Sequence, residues 1–149
     1  YYEMQELGYN YRMTDFQAAL GISQLRRADE GLARRQQIAA RYNEAFAGIE
    51  GIKVPFVGEG VYHAYHLYII QVADRKGLYD YLRVNNVYAQ VHYVPLHLMP
   101  YYRQLGCKEG DCPVAEEYYR HCLSLPMFPT LTEEEQRYVI EKVIEFVRK

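Results

Sequence analysis

Five histidines are the side chains best suited to contact a ligand, and His92 and His97 stand out among them. They enclose residues 93–96, a segment interrupted by Pro95, at the end of a predicted strand. Imidazole rings in that position can donate hydrogen bonds to a diphosphate, whereas the simpler alternative is a pair of half-buried structural rings. The residue pattern alone leaves both interpretations open.

Metal binding is a weaker hypothesis for the same histidines. Zinc takes four N or S ligands in a tetrahedral array, and its paired cysteines commonly have two residues between them. Cys107 and Cys112 have four residues between them. We therefore predict no metal site.

Asn10 and Arg12 form a second candidate pair, just before a predicted helix N-terminus. An amide donor and a guanidinium close to free backbone amides can clamp a phosphate or a carboxylate. An equally ordinary explanation is structural, with Asn10 in a turn and Arg12 paired with Asp15. Position in the sequence does not decide between the two.

Schiff-base chemistry needs a desolvated, positioned lysine amine. The five lysines instead fall in a short strand, on helix surfaces, in a polar loop and at the C-terminus: Lys53, Lys76, Lys142, Lys108 and Lys149. The sequence also has no G-x-S-x-G, no phosphate-cradling glycine loop and no H-E-x-x-H. We therefore predict no catalytic residue in this chain, which by itself is expected to be inactive.

A long helix over residues 14–47 is predicted to follow the Asn10 pair. Thr14 and Gln17 have the spacing of a capping box. Gly31 costs about 1 kcal/mol inside a helix and marks a possible kink or break. Arg35 lies on the apolar row, which disfavours a coiled coil and favours packing on a sheet or on a dimer partner. The apolar row repeats every seven residues: Ala18, Leu25, Leu32, Ala39 and Phe46.

The middle of the chain has the pattern of a small α/β unit. Residues 52–54, 67–72 and 87–93 are rich in β-branched and aromatic residues and predict three strands. A helix over residues 75–85 lies between the second and third strands, and Asn85-Asn86 can supply the left-handed turn that ends it. The arrangement is βαβ-like.

Two further helices are predicted in the last third. Asp111 is expected to cap the first, with Pro113 in its first turn, and this helix is expected to end at about Leu123. Thr132 begins the second with another capping box. Its expected buried stripe consists of Val139, Ile140, Val143, Ile144 and Val147.

Length and charge restrict the function classes. A chain of 149 residues can bury roughly two thirds of its unfolded surface in one domain. Seventeen basic against nineteen acidic residues give a net charge of −2, which disfavours nucleic acid as a partner. No run approaches the roughly 20 apolar residues of a membrane span, so no membrane association is predicted. Three cysteines, an odd number, suggest free thiols and a cytoplasmic location.

Several segments together resemble the DegT/DnrJ/EryC1/StrS family of sugar aminotransferases. The resemblance covers essentially the whole chain, and its second half is most similar to the branch that aminates UDP-4-keto-6-deoxy-N-acetylhexosamines. The segments follow the family's order: residues 7–21 (LGYNYRMTDFQAALG), 66–68 (HLY), 90–97 (QVHYVPLH), 110–116 (GDCPVAE) and 123–129 (LSLPMFP).

The resemblance implies a fold, a cofactor and a reaction. These enzymes have the aspartate-aminotransferase fold type I, act as homodimers with shared active sites, and use pyridoxal 5'-phosphate (PLP). They transfer an amino group, usually from glutamate, to a UDP- or dTDP-linked ketosugar. In that picture residues 1–13 are a lead-in from a missing large domain. Residues 14–149 are the small C-terminal α/β domain, and helix 14–47 lies at the interdomain or dimer contact.

The resemblance also implies roles for individual residues. Asn10 would reach across the dimer to the PLP phosphate of the partner subunit, and Arg12, His92, Tyr93 and His97 would line the sugar-nucleotide side. The Schiff-base lysine would lie upstream of Tyr1. The alternative is a stand-alone interaction domain without catalysis, in which an exposed face of the helix 14–47 mediates assembly.

Overall fold

A computed structural model of the chain describes Glu3 and residues 5–149. The described part is a mixed α/β structure, as the sequence predicts. Its α-helices are α1 (Asp15–Leu25), α2 (Ala28–Phe46), α3 (Arg75–Val84), α4 (Pro100–Gln104), α5 (Pro113–His121) and α6 (Glu133–Val147). Its strands are β1 (Tyr68–Gln71) and β2 (Cys122–Leu125), and a short 3₁₀ turn covers Leu96–Leu98.

The predicted long helix over residues 14–47 is two helices. The capping box at its start is confirmed, with the Thr14 hydroxyl accepting from Gln17 N at 3.3 Å. The break lies at Arg26 and Arg27 instead of Gly31, which sits inside α2. Asp29 and Glu30 in the first turn of α2 explain the position, because acidic side chains stabilise the positive end of a helix dipole.

The sheet is smaller and differently ordered than predicted. β1 pairs antiparallel with β2, with Tyr68 opposite Leu125. Single bridges add Lys53 beside Gln71 on one side and Gln90 beside Ser124 on the other. The expected strand over residues 87–93 is therefore reduced to one bridge, and β2 lies between the two strands of the expected βαβ unit.

The sequence prediction missed β2, as well as the short helix α4 and the 3₁₀ turn before it. The helix expected to run to Leu123 ends at His121, and the next four residues form the strand. All four are buried, so they lack the polar alternation that marks a half-exposed strand. The predicted cap was also misplaced, since Cys112 is the N-cap of α5 and Asp111 instead accepts from Lys108 N at 2.8 Å.

The other helix predictions are confirmed. α3 ends at Val84, and Asn86 adopts the left-handed conformation with φ of 59°. α6 begins with the predicted capping box at Thr132. Val139 and Val143 are buried, and the other three residues of the predicted stripe pack against the core.

The core lies between α2, α3, α6 and the two strands. Its largest fully buried residues include Ile38, Tyr42, Tyr68, Leu78 and Leu82. The Tyr42 and Tyr68 rings are tilted against each other with centroids 4.7 Å apart, and burial raises the pKa of both phenols. Their hydroxyls are satisfied by a backbone carbonyl and a side-chain amide, as buried polar groups require.

Arg35 is a cation on the apolar row of α2, and its contacts with backbone carbonyl groups explain how it is accommodated there. Its Nη1 donates to the carbonyl oxygens of Tyr65, His66 and Met127 at 3.1, 3.2 and 3.0 Å. The guanidinium therefore ties α2 to the loop before β1 and to the loop after β2. The partly buried side chain thus links α2 to the loops that flank the sheet, which fits the preference for packing on a sheet over a coiled coil.

None of the residues of α1 is buried, in contrast to α2, α3, α5 and α6. Leu25, which occupies the predicted apolar row, is 75% exposed, while Ala39 of the same row is 0% exposed. No helix in the part of the chain that the structure describes is long and apolar enough to cross a membrane.

Candidate functional site

His92 is held by a strand residue. Its Nδ1 lies 2.8 Å from the hydroxyl of Ser124, a buried residue of β2. Ser124 is itself fixed, because its backbone N–H and carbonyl both pair with Gln90. The contact occupies Nδ1, so Nε2 is the ring nitrogen that can meet a ligand.

A groove runs beside His92, between residues 92–95 and the N-terminal half of α5. Tyr93 lies at its rim and is 68% exposed. The walls are largely apolar and include Pro95, Pro113, Val114 and Tyr118. Apolar walls with a few polar groups, here the held imidazole of His92 and two phenols, are typical of small-molecule sites.

His97 lies at the far end of the same segment, in the 3₁₀ turn. Its Nε2 is 2.8 Å from the Glu116 carboxylate of α5, and the His97 side chain is only 11% exposed. The same carboxylate oxygen accepts from Gly110 N at 2.8 Å. Hydrogen bonds from His97 and then from Gly110 hold the pKa of Glu116 below its usual value. Glu116 is therefore an anion that anchors two loops on α5.

Asn10 and Arg12 form a second group in the extended lead-in. Arg12 Nε donates to Asn10 Oδ1 at 3.2 Å, and both residues are exposed. Arg12 thus contacts Asn10, whereas the structural alternative paired it with Asp15. The contact uses the Asn10 amide oxygen and Arg12 Nε, so the Asn10 amide N–H groups and the other Arg12 nitrogens stay available to a ligand.

The structure thus assembles the five predicted site residues in two groups. His92, Tyr93 and His97 share one segment, and Asn10 and Arg12 share another. The roles assigned to them stay predictions. Two residues that the sequence did not single out hold the histidines of the first group: Ser124 and Glu116. They lie within the segments 123–129 and 110–116, but nothing in their spacing reveals which histidine each one meets.

The lysines occupy the surface. Lys76 pairs with Asp80, and Lys142 and Lys149 pair with Glu145. Lys53 and Lys108 are exposed. None has the desolvated environment that a Schiff-base amine needs. Among the described residues, no group of three or more His, Cys, Asp or Glu side chains is placed to hold a metal ion.

A comparison with known proteins defines the class. Residues 1–144 match the model of the DegT/DnrJ/EryC1/StrS aminotransferase family, and the chain belongs to that family. The family is PLP-dependent. The match confirms the resemblance to this family that the sequence segments indicated.

Particular relatives cover the whole chain. The spore coat polysaccharide biosynthesis protein SpsC of Bacillus subtilis is 42% identical over 99% of this chain, and a dTDP-3-amino-3,4,6-trideoxy-alpha-D-glucose transaminase of Streptomyces venezuelae is 32% identical. The crystal structure of S. venezuelae DesV in complex with a ketimine intermediate superposes with a TM-score of 0.94 at 32% identity over 99% of this chain. The match covers 40% of the length of SpsC and of DesV. It covers 39% of the length of the transaminase.

Proposed function

We propose that this chain is the C-terminal part of a PLP-dependent aminotransferase that transfers an amino group, from glutamate, to a UDP- or dTDP-linked 4-keto-6-deoxy sugar. The observation that carries the proposal is the His92–Tyr93 groove in a chain of this family. Relatives named as transaminases of dTDP-linked aminosugars support the substrate class.

The chain's residues fit one part of the cofactor and not another. The exposed donors of Asn10 and Arg12, beside the N-terminus of α1, suit a phosphate group. The surface lysines do not suit a Schiff base, so we infer that this lysine lies in another part of the full-length protein. When bound, PLP supplies the electron sink that lets nitrogen pass between donor and acceptor.

His92 and Tyr93 are proposed to bind the sugar nucleotide. His92 is preoriented through Ser124, so its Nε2 can donate to or accept from a diphosphate or sugar oxygen without first losing conformational freedom. The exposed Tyr93 phenol offers a hydroxyl and a ring face to the same ligand. His97 stays a predicted lining residue, and its contact with Glu116 leaves Nδ1 for any ligand.

Asn10 is proposed to contact the PLP phosphate of a partner subunit, which requires a homodimer. Arg12 Nε donates to the Asn10 side-chain carbonyl oxygen, and this contact leaves the amide N–H groups for the phosphate. Arg12 itself is proposed to meet the sugar nucleotide through its remaining nitrogens. Both residues are exposed in this chain, as a contact across subunits requires.

The test uses the full-length protein with PLP, glutamate and a panel of UDP- and dTDP-linked ketosugars. Tyr93→Phe and His92→Asn should raise the KM for the sugar nucleotide by about tenfold, the cost of one hydrogen bond to a charged group. Tyr88→Phe is a matched control, since Tyr88 is 61% exposed and its ring lies under the Arg83 guanidinium and outside the groove.

Two outcomes would overturn the proposal. One is a full-length protein that aminates none of the ketosugar nucleotides. The other is an unchanged KM in both groove variants, which would remove the groove from the substrate site.

A stand-alone interaction domain is the second candidate. The observation that favours it is the exposed apolar surface of the lead-in and α1, which includes Tyr11, Phe16 and Leu25. This candidate would be supported by a gene product that consists of these 149 residues alone and that forms a stable complex without binding PLP.

A further inference from the structure

Glu116 is a buried carboxylate whose role the proposed contacts do not explain. It is 4% exposed, and one oxygen bonds both the His97 ring and the Gly110 backbone. A glutamate is almost never buried without partners, because removing its charge from water is costly. The third neighbour, Arg120, is 3.8 Å away on the exposed side of α5. The imidazole and the amide are therefore the main partners.

These contacts join the two walls of the groove. One wall is formed by residues 92–95, and the other by the first residues of α5, including Pro113 and Val114. Glu116 lies in the same first turn of α5 and holds His97, which follows the first wall. The helix that forms one wall thus fixes the position of the other.

The first wall is fastened at both ends. At its start, His92 bonds Ser124 of β2. At its end, His97 bonds Glu116. Tyr93 and Pro95 lie between the two fastenings, and the 3₁₀ turn that follows is closed by Leu98 N donating to Pro95 O at 2.9 Å. A segment fixed at two points keeps its side chains in place at a lower entropic cost on binding.

We propose that Glu116 and His97 form a positioning pair that sets the width of the groove for the sugar nucleotide. Glu116 acts through His97 and the loop at Gly110 and does not itself touch the substrate. This inference rests on the proposed function, because it assigns the groove to the sugar nucleotide. It goes beyond that function by naming a specificity element outside the ligand contacts.

The test uses the full-length protein loaded with PLP. Glu116→Ala removes the carboxylate, Glu116→Gln keeps an acceptor for Gly110 N, and His97→Asn removes the ring. Glu117→Gln is the matched control, because Glu117 is the next residue of α5 and its side chain is 61% exposed. The KM for the sugar nucleotide, kcat and the rate of the half-reaction with glutamate are measured for each variant.

We expect Glu116→Ala and His97→Asn each to raise the sugar-nucleotide KM by about tenfold, with a smaller rise for Glu116→Gln. The half-reaction with glutamate should stay within about twofold of the wild-type rate, because the pair acts on the other substrate. The double variant should be no worse than the single variants, since both remove the same contact.

Amide hydrogen exchange supplies a readout independent of activity. The Leu98 and Met99 amides, which close the 3₁₀ turn, should exchange about tenfold faster in Glu116→Ala than in the wild type. Glu117→Gln should leave them unchanged. This readout detects the loosened wall even if no sugar nucleotide in the panel is a substrate.

The outcomes separate this inference from the proposed function. An unchanged KM in both Glu116→Ala and His97→Asn overturns the positioning pair and leaves the proposed function standing. Equal losses in both half-reactions also overturn it, because they indicate a general structural role. A wild-type protein without any ketosugar activity defeats the proposed function and the substrate role of the pair, whereas the exchange data still show whether Glu116 holds the turn.

Discussion

α1 and α2 carry the same apolar repeat, but only α2 uses it within this chain. Ala39 and Phe46 of the repeat are 0% and 2% exposed, and Leu25 is 75% exposed. The difference teaches that a repeat predicts which face will be covered and not which part of a protein covers it. Residues 5–13 of the lead-in are exposed as well, and we expect protein outside this chain to cover both regions.

The largest expected difference between the regions is in stability. Leu78→Ala in the core should cost about 2–5 kcal/mol of the free energy of unfolding, because it leaves a cavity at a fully buried site. Leu25→Ala in α1 should change it by no more than about 0.5 kcal/mol in residues 1–149. Urea denaturation of this chain measures both. A loss at Leu25 as large as that at Leu78 would contradict the contrast.

Full-length protein sharpens the same contrast. If the rest of the protein covers α1, Leu25→Ala should become clearly destabilising there. The cost at Leu78 should be similar in both contexts, because its surroundings belong to this chain. An equal effect of Leu25→Ala in the two contexts would show that α1 stays uncovered.

Arg35 provides a test at the boundary of the α2 core. Arg35→Lys should cost about 2 kcal/mol, because an ammonium cannot reproduce the contacts that the guanidinium makes to three carbonyl oxygens. Arg27→Lys, at the exposed break between α1 and α2, is the matched control and should be nearly neutral. Thermal unfolding of both variants measures the difference. Equal melting temperatures would show that the Arg35 contacts do not stabilise the fold.

The stabilising contribution of Glu116 should depend on pH. The pKa of Glu116 is lowered on folding, so its stabilising contribution is present above the unfolded value, near 4.5, and is lost as the pH falls through the folded value. Glu116→Gln should therefore lower the Tm at neutral pH, and the gap to the wild type should close as the pH falls from the unfolded value through the lower folded value. A gap that widens in acid would contradict the assigned direction.

The smallest effect is expected at Gly31, where the sequence suggested a break. Gly31→Ala should stabilise the chain by about 0.5–1 kcal/mol, because Gly31 is helical and an added Cβ would meet only Pro129 at 3.6 Å. Gly77→Ala is the contrasting control, since its Cβ would collide with the capping side chain of Asp74 and with Phe146 at 2.9 Å. Destabilisation by Gly31→Ala would indicate strain at the start of α2.

The sequence predicts features whose causes are local. The capping boxes at Thr14 and Thr132 and the left-handed turn at Asn86 each depend on neighbouring residues, and all three are present. β2 was missed because a fully buried strand carries no alternation and directly follows a helix. The bonds from Ser124 to His92 and from Glu116 to His97 join residues distant in sequence, so spacing cannot reveal them.

Subunit complementation tests the central claim most directly, that this chain supplies one side of an active site whose lysine lies elsewhere. A full-length Asn10→Ala variant is coexpressed with a variant of the Schiff-base lysine, mapped by borohydride reduction. Random pairing in a twofold homodimer should restore about a quarter of the wild-type activity, because half of the dimers then hold one intact site. Activity no greater than that of the two variants alone would contradict the claim.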